Sequence, residues 1–92
     1  MAQMGSDEIE QRLGELDGWA LEDDAISKQF KRGDFAGSVA FVNELTPVAE
    51  EMNHHPDLAI SWDTVTVTLT THSEGGLTEN DFALAGRIDS LP

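Results

Sequence analysis

The sequence contains no cysteine, and this absence removes several kinds of chemistry at once. Disulfide bridges, thiolate zinc sites and cysteine nucleophiles are all excluded. No apolar run is long enough to cross a bilayer, and the first residues lack the basic and apolar blocks of a signal peptide. We therefore expect a cytoplasmic protein that does not associate with a membrane.

Basic residues are also scarce. Five Lys and Arg stand against eighteen Asp and Glu, which gives a formal net charge of -13. Phosphate binding needs clustered cations, so this balance argues against nucleic acid as a direct partner. Two interpretations of the acidity stay open: an ordinary acidic protein, or adaptation to high salt, where screening relieves the repulsion among surface carboxylates.

The length of the chain, 92 residues, predicts a single domain over residues 1–92, with residues 1–5 as a loose start. Apolar residues at helical and alternating spacings predict the order α-β-β-α-β-β-α. The clearest alternation places Val65, Val67 and Leu69 on one side of a strand and threonines on the other. A sheet with one polar face carries helices on one side only, so we expect an α+β fold, with three helices on one face of a four-stranded antiparallel sheet.

The longest predicted helix, residues 35–52, carries two apolar strips. One strip contains Phe35, Val39, Val42, Ala49 and Met52, and the other contains Phe41, Leu45 and Val48. One strip packs on the sheet, and the second needs another partner. Together with the strand at residues 64–71, treated as an exposed edge, this pattern predicts a homodimer or a homotetramer. Pro47 predicts a kink or a restart within the helix.

All three histidines lie in two short segments. His54 and His55 precede Pro56 at the end of the long helix, and His72 follows the alternating strand. Histidine suits general acid and base catalysis because its ordinary pKa lies near neutral pH. A zinc site is the alternative, but adjacent histidines do not easily converge on one ion, so we expect no metal.

Two acidic residues accompany the histidines. Asp81 stands three residues after Thr78, which is the spacing of a helix capping box. The same carboxylate could also fix the tautomer of a histidine. Glu50 lies one helical turn before His54, and it is either part of the same site or one of many solvated acids.

These segments resemble the pterin-4a-carbinolamine dehydratase family. The family signature is a helix that ends in His-His-Pro, two strands of which the second ends in Thr-His, and then Gly-Leu-Thr with an Asp three residues after the Thr. The matching residues are His54, His55, Pro56, Trp62, Val65, Thr71, His72, Gly76, Leu77, Thr78 and Asp81. Weaker matches at Gly18, Trp19 and Phe41 extend the resemblance over nearly the whole chain.

The resemblance implies a hydro-lyase that converts 4a-hydroxytetrahydropterin into quinonoid dihydropterin and water, in the recycling of tetrahydrobiopterin. For this reaction we assign His54 and His72 as the acid/base pair, and His55 as a group that orients the substrate or shares the base role. Glu50, Pro56 and Asp81 would support the site, and no cofactor would be needed beyond the pterin substrate. The resemblance also implies that subunits join their sheets edge to edge. A different pterin substrate, or a non-catalytic role in assembly or transcriptional coactivation, remains an alternative.

Overall fold

The computed structural model describes residues 3–92 of the chain. Its elements follow the predicted order, with one additional 3-10 turn before the last helix. The elements are α1 (Ser6–Gly14), β1 (Ala20–Glu22), β2 (Ala25–Lys31), α2 (Phe35–Met52), β3 (Asp57–Ser61), β4 (Thr64–Leu69), the 3-10 turn (His72–Glu74) and α3 (Glu79–Asp89). The predicted α+β class, with four antiparallel strands and three helices, is confirmed.

The four strands form one antiparallel sheet in the order β1-β2-β4-β3. The alternation in β4 has the predicted consequence: Val65, Val67 and Leu69 are fully buried, whereas the intervening threonines are half-buried. The expectation that residues 64–71 form an exposed edge is wrong, because β4 pairs with both β2 and β3. The edge strand on this side of the sheet is β3, in which every residue is exposed.

Helix α2 packs on the sheet and on α3, which buries the strip with Phe41 and Leu45 and also the later part of the other strip. The buried residues are Ser38, Phe41, Leu45 and Ala49. Leu45 is only 1% exposed, so its strip belongs to the core of the subunit and is not free for a partner. In the other strip, Phe35 and Val39 at the start of α2 are exposed. Farther along the same strip, Val42 and Met52 pack partly buried against the core, and Ala49 is buried.

Helix α2 also runs without interruption from its cap to its end. The side chain of Asp34 caps it, because Oδ1 accepts a hydrogen bond of 2.7 Å from the backbone amide of Gly37. Pro47 lies inside the continuous helix, so the expected restart does not occur. The preceding Thr46 directs its hydroxyl to the carbonyl of Val42, at 2.8 Å.

Polar side-chain contacts join α3 to the sheet and α1 to α3. Lys28 Nζ on β2 lies 2.8 Å from Asp89 Oδ1, and Trp19 Nε1 donates to the other oxygen of Asp89 at 3.0 Å. Arg12 on α1 pairs with Glu79 at the start of α3. The hydrogen bond that Arg12 donates to the Glu79 carboxylate raises the pKa of the Arg12 guanidinium above its ordinary value.

The chain is ordered closer to its beginning than the sequence suggested. Met4 is buried, and its amide donates a hydrogen bond of 2.8 Å to the carbonyl of Leu77. The expected loose start therefore does not extend to Met4, while residues 1 and 2 lie outside the described part. Among residues 3–92, no helix combines the length and the apolar character needed to cross a bilayer.

Candidate active site

The site begins where α2 ends. Asn53 adopts the left-handed conformation, with φ 50° and ψ 42°. The amide of Asn53 donates to the carbonyl of Glu50, and the amide of His54 donates to the carbonyl of Ala49, both at 3.1 Å. This pair of bonds is a Schellman motif, and Asn is one of the few residues that adopt its left-handed position readily. The motif stops the helix and turns the chain at His54.

His54 points into the protein and meets Asp81. Its Nε2 lies 2.5 Å from Asp81 Oδ1, His54 is 8% exposed, and Asp81 is fully buried. An ionised carboxylate can only accept hydrogen bonds, so Nε2 of His54 carries the proton of this contact. The neutral imidazole therefore has its free lone pair on Nδ1, and this is the atom that can take up a proton. The orienting role considered for Asp81 has the required geometry.

Asp81 is held on its other oxygen by two donors. Oδ2 accepts from the backbone amide of Thr78 at 2.9 Å and from the hydroxyl of Thr71 at 2.8 Å. The bond from Thr78 belongs to the predicted capping box, which is present. Asp81 thus caps α3 with one oxygen and contacts His54 with the other, so the two roles proposed from the sequence occur together.

His55 lies outside this buried network. Its Nε2 pairs with Glu50 Oε2, and both side chains are more than half exposed. Glu50 therefore contacts His55, and among the described residues no hydrogen bond joins the Glu50 side chain to His54. Pro56 is half-buried directly after the pair and leads the chain into β3. Because residues before a proline avoid helical conformations, Pro56 favours an extended His55.

His72 is exposed at the start of the 3-10 turn that follows β4. It lines a cavity of about 380 Å³ together with Glu22 at the end of β1, Asp23 and Asp24 in the turn between β1 and β2, and Ala25, Thr70 and Gly75. Neither His54 nor His55 is among the described lining residues. The connection between His72 and His54 runs instead through Thr71, whose hydroxyl binds Asp81.

The three histidines therefore occupy three different environments. His54 is buried with Asp81, His55 is exposed with Glu50, and His72 is exposed beside a cavity.

Two threonines of the site have contacts that the sequence does not predict. Thr71 is identified from the sequence only as part of the family signature, and its bond to Asp81 follows from the structure. The sequence identifies Thr78 as a helix cap and as part of the family signature, and it does not predict the bond between Thr78 and Thr71. Across residues 3–92, no group of three or more His, Cys, Asp or Glu side chains converges to hold a metal ion.

The chain is similar over almost its full length to proteins of one family. The sequence model described as pterin 4 alpha carbinolamine dehydratase matches residues 2–91. A protein of Sulfolobus acidocaldarius, provisionally named a pterin-4-alpha-carbinolamine dehydratase, is 47% identical over 88 residues, which cover 96% of this chain and 97% of the relative. A protein of Thermosynechococcus vestitus with the same provisional name is 50% identical over 84 residues, which cover 91% of this chain and 88% of the relative.

Two solved structures share the fold. A protein of Brucella melitensis, described as a transcriptional coactivator/pterin dehydratase, superposes with a TM-score of 0.91 at 36% identity and 96% coverage of both chains. A pterin dehydratase-like protein described as a RuBisCO assembly factor of the alpha-carboxysome superposes with a TM-score of 0.67 at 28% identity, over 79% of this chain and 87% of its own. The agreement in sequence, fold and histidine motif leads to one conclusion: the chain belongs to the pterin 4 alpha carbinolamine dehydratase family, a family of enzymes.

Proposed function

We propose that this protein removes water from a 4a-hydroxytetrahydropterin and releases a quinonoid dihydropterin, as a step in the recycling of tetrahydrobiopterin. His54 and His72 form the acid/base pair of this proposal, and His55 orients the substrate. The observation that carries the proposal is the buried contact between His54 and Asp81, which is joined to the turn of His72 through Thr71, the residue directly before His72. The names of the most similar relatives support the same substrate class.

The reaction needs one proton donor and one proton acceptor. The bond between C4a and its hydroxyl breaks, the proton on N5 leaves, and a C4a–N5 double bond forms. An acid protonates the departing hydroxyl so that it leaves as water, while a base takes the proton from N5. Two imidazoles can perform both transfers, each contributing about 10² to 10⁴ in rate.

The environments of the three histidines support these acid/base and orienting roles. Asp81 holds Nε2 of His54, so proton exchange with the substrate occurs at Nδ1 of the same ring. His72 lies at an exposed turn beside a cavity, where a substrate can reach it. His55 is exposed and paired with Glu50, which suits an orienting hydrogen bond better than a buried acid/base role. In the proposed reaction the pterin is the substrate, and neither a metal nor another cofactor takes part.

Single substitutions test the chemical assignment. His54→Ala and His72→Ala should each lower turnover of chemically generated 4a-hydroxytetrahydropterin by about 10² or more, because each removes one acid/base group. Ser73→Ala is the matched control, since Ser73 is exposed on the same turn as His72. Circular dichroism checks that each variant is folded. Wild-type rates in both histidine variants, measured above the spontaneous background, would show that the acid/base assignment is wrong.

We also propose that the protein forms a homodimer or a homotetramer through the edge of its sheet and the outer face of α2. Strand β3 exposes Leu58 and Ile60, and Trp62 after it is 68% exposed. Ser38 on α2 donates a hydrogen bond of 2.7 Å to the carbonyl of Trp62. This contact brings the exposed start of α2, with Phe35, close to the same edge. An apolar edge strand with free backbone groups favours pairing with another strand.

Light scattering on two β3 variants tests the assembly. Ile60→Glu places a charge on the apolar side of β3 and should shift the mass to that of a monomer. Ser61→Glu is the control, because Ser61 lies on the opposite side of the same strand, and it should keep the assembly intact. A wild-type protein that is monomeric at micromolar concentration would remove this proposal. That result would favour the alternative role, in which the same surface binds a different protein, as the described functions of the two structural relatives suggest.

A further inference from the structure

The hydroxyl of Thr71 stands between the two segments that carry the histidines. Thr71 Oγ1 lies 2.8 Å from Asp81 Oδ2 and also 2.8 Å from Thr78 Oγ1. A threonine hydroxyl has one proton to donate and two lone pairs to accept with. The direction of these two hydrogen bonds therefore decides whether Thr71 donates its proton to the Asp81 carboxylate or to Thr78.

Only one direction satisfies every group. If Thr71 donated its proton to Thr78, a lone pair of Thr71 would face a lone pair of the Asp81 carboxylate, with no proton between them. Thr71 therefore donates to Asp81, and Thr78 donates to Thr71. Thr78 can still accept from the amide of Asp81 in the capping box. Oδ2 of Asp81 then has two donors, from Thr71 and from the amide of Thr78, which leaves Oδ1 for Nε2 of His54.

The backbone of Thr71 is fixed as firmly as its side chain. Its amide donates to the carbonyl of Gly76 at 3.1 Å, and its carbonyl accepts from the amide of Gly76 at 3.3 Å. The same carbonyl also accepts from the amide of Glu74 at 3.0 Å, which closes the turn that begins with His72. The backbone of Thr71 thus sets where His72 starts, while its hydroxyl sets the carboxylate that holds His54.

We infer that Thr71 is a positioning residue that holds the two proposed catalytic imidazoles, His54 and His72, in one fixed arrangement. Its hydroxyl keeps the Asp81 carboxylate oriented so that Oδ1 accepts the hydrogen bond that Nε2–H of His54 donates. Its backbone keeps His72 at the adjacent turn. The inference deepens the proposed function and rests on it for the catalytic roles of the two histidines. The orientation of His54 by Thr71 and Asp81 can be tested without any activity.

Three variants separate the hydroxyl from the rest of the side chain. Thr71→Val keeps the shape and removes the donor, whereas Thr71→Ser keeps the donor and removes the methyl group. Thr66→Val is the control, because it makes the same chemical change on the opposite face of β4, away from the network. If Thr71→Val does not fold, Thr71→Ala compared with Thr71→Ser provides the same contrast.

Two measurements decide the outcome. Long-range ¹⁵N–¹H NMR spectra of the imidazole rings report which nitrogen of His54 carries the proton. We expect protonated Nε2 in the wild-type protein, in Thr71→Ser and in Thr66→Val, and a mixture of tautomers in Thr71→Val. In the dehydratase assay, we expect kcat to fall about tenfold to a hundredfold in Thr71→Val with little change in KM, and the pH–rate profile to move. Thr71→Ser should restore both.

The outcomes distinguish the inference from the proposed function. A wild-type protein without dehydratase activity overturns the proposed function, while the NMR comparison still tests the orientation of His54. A Thr71→Val variant with the wild-type tautomer overturns the positioning role. So does a Thr71→Ser variant that behaves like Thr71→Val, because the methyl group and not the hydroxyl would then be responsible.

Discussion

The strongest prediction concerns Asp81, whose replacement by Asn changes the donor pattern of the site without changing its shape. An amide has one oxygen and one nitrogen, so one of the two carboxylate positions must become a donor. The Oδ2 position faces two donors, the amide of Thr78 and the hydroxyl of Thr71, and a nitrogen there would leave both unsatisfied. The nitrogen must therefore occupy the Oδ1 position and donate to His54.

This change forces His54 into the other tautomer. Nε2 must then accept a hydrogen bond, so the neutral ring carries its proton on Nδ1 and loses the free lone pair that serves as the base in the proposed reaction. In a His–Asp pair of a serine protease, the same exchange lowers kcat by about 10⁴. We expect turnover of 4a-hydroxytetrahydropterin by Asp81→Asn to fall by about 10² to 10⁴.

The same substitution also weakens the fold, by a smaller factor. Hydrogen bonds to a charged group contribute about 1.5 to 3 kcal/mol each, and neutral ones about half as much. A loss of about 2 kcal/mol in a domain of this size lowers Tm by roughly 10 °C. Asp81→Asn should therefore remain folded at 25 °C while losing most of its activity.

The matched control is Asp34→Asn. Asp34 also caps a helix, because Oδ1 accepts from Gly37, but it contacts no histidine. Asn and Asp are nearly equal as caps, so the loss of stability should stay below about 1 kcal/mol and activity should not change. Wild-type kcat and an unchanged His54 tautomer in Asp81→Asn would refute the reasoning, whereas equal losses of activity in both variants would point to stability alone.

Two further predictions concern stability. Gly37→Ala should lower Tm by roughly 10 °C, because the added Cβ would lie 2.1 Å from the carbonyl oxygen of Arg32. Gly86→Ala should instead raise Tm by a few degrees. No atom lies within 4 Å of the Cβ added at Gly86, and Ala is more favourable than Gly in a helix interior by about 1 kcal/mol. Equal melting temperatures for the two variants would contradict the steric argument. Tm should also rise markedly from low salt to molar KCl if the charge of -13 reflects adaptation to salt. A melting temperature that is flat above about 0.15 M, where the Debye length is already about 8 Å, would favour an ordinary acidic protein.

Local patterns predicted the elements well, because helices and strands each impose a period on the sequence. The alternation through Val65, Val67 and Leu69 gave the correct strand and the correct buried face. It could not give the neighbours of that strand, since pairing with β2 and β3 depends on residues far away in the chain. The assignment of an edge to residues 64–71 failed for this reason.

The two strips of α2 illustrate a second limit. Both strips are apolar, so periodicity alone cannot tell which one packs on the sheet. In the folded subunit Leu45 lies in the core, whereas Phe35 is 59% exposed. A charge at Leu45 would therefore destabilise the subunit itself, and an assembly test has to use residues such as Ile60 instead.

The candidate site shows the same division between local and distant information. The spacing of Thr78 and Asp81 predicted a capping box, since that motif lies within one turn of a helix. The bond between His54 and Asp81 joins residues 27 positions apart, and the bond from Thr71 crosses from the end of β4 to α3. The family resemblance placed these residues in one site, but their hydrogen-bond partners follow only from the tertiary structure.

The C-terminal motif of α2 and the N-terminal motif of α3 lie next to each other at this site. The relative position of these two helix ends sets the geometry of the His54–Asp81 pair. The Schellman motif at Asn53 ends α2 and directs His54 inward, and the capping box at Thr78 begins α3 and fixes Asp81. Each motif satisfies backbone groups that its helix would otherwise leave unpaired. The imidazole and the carboxylate are therefore oriented by the same hydrogen bonds that stabilise the helix ends. A substitution that loosens either terminus must also move one partner of the His54–Asp81 pair, so loss of activity should precede loss of the folded structure.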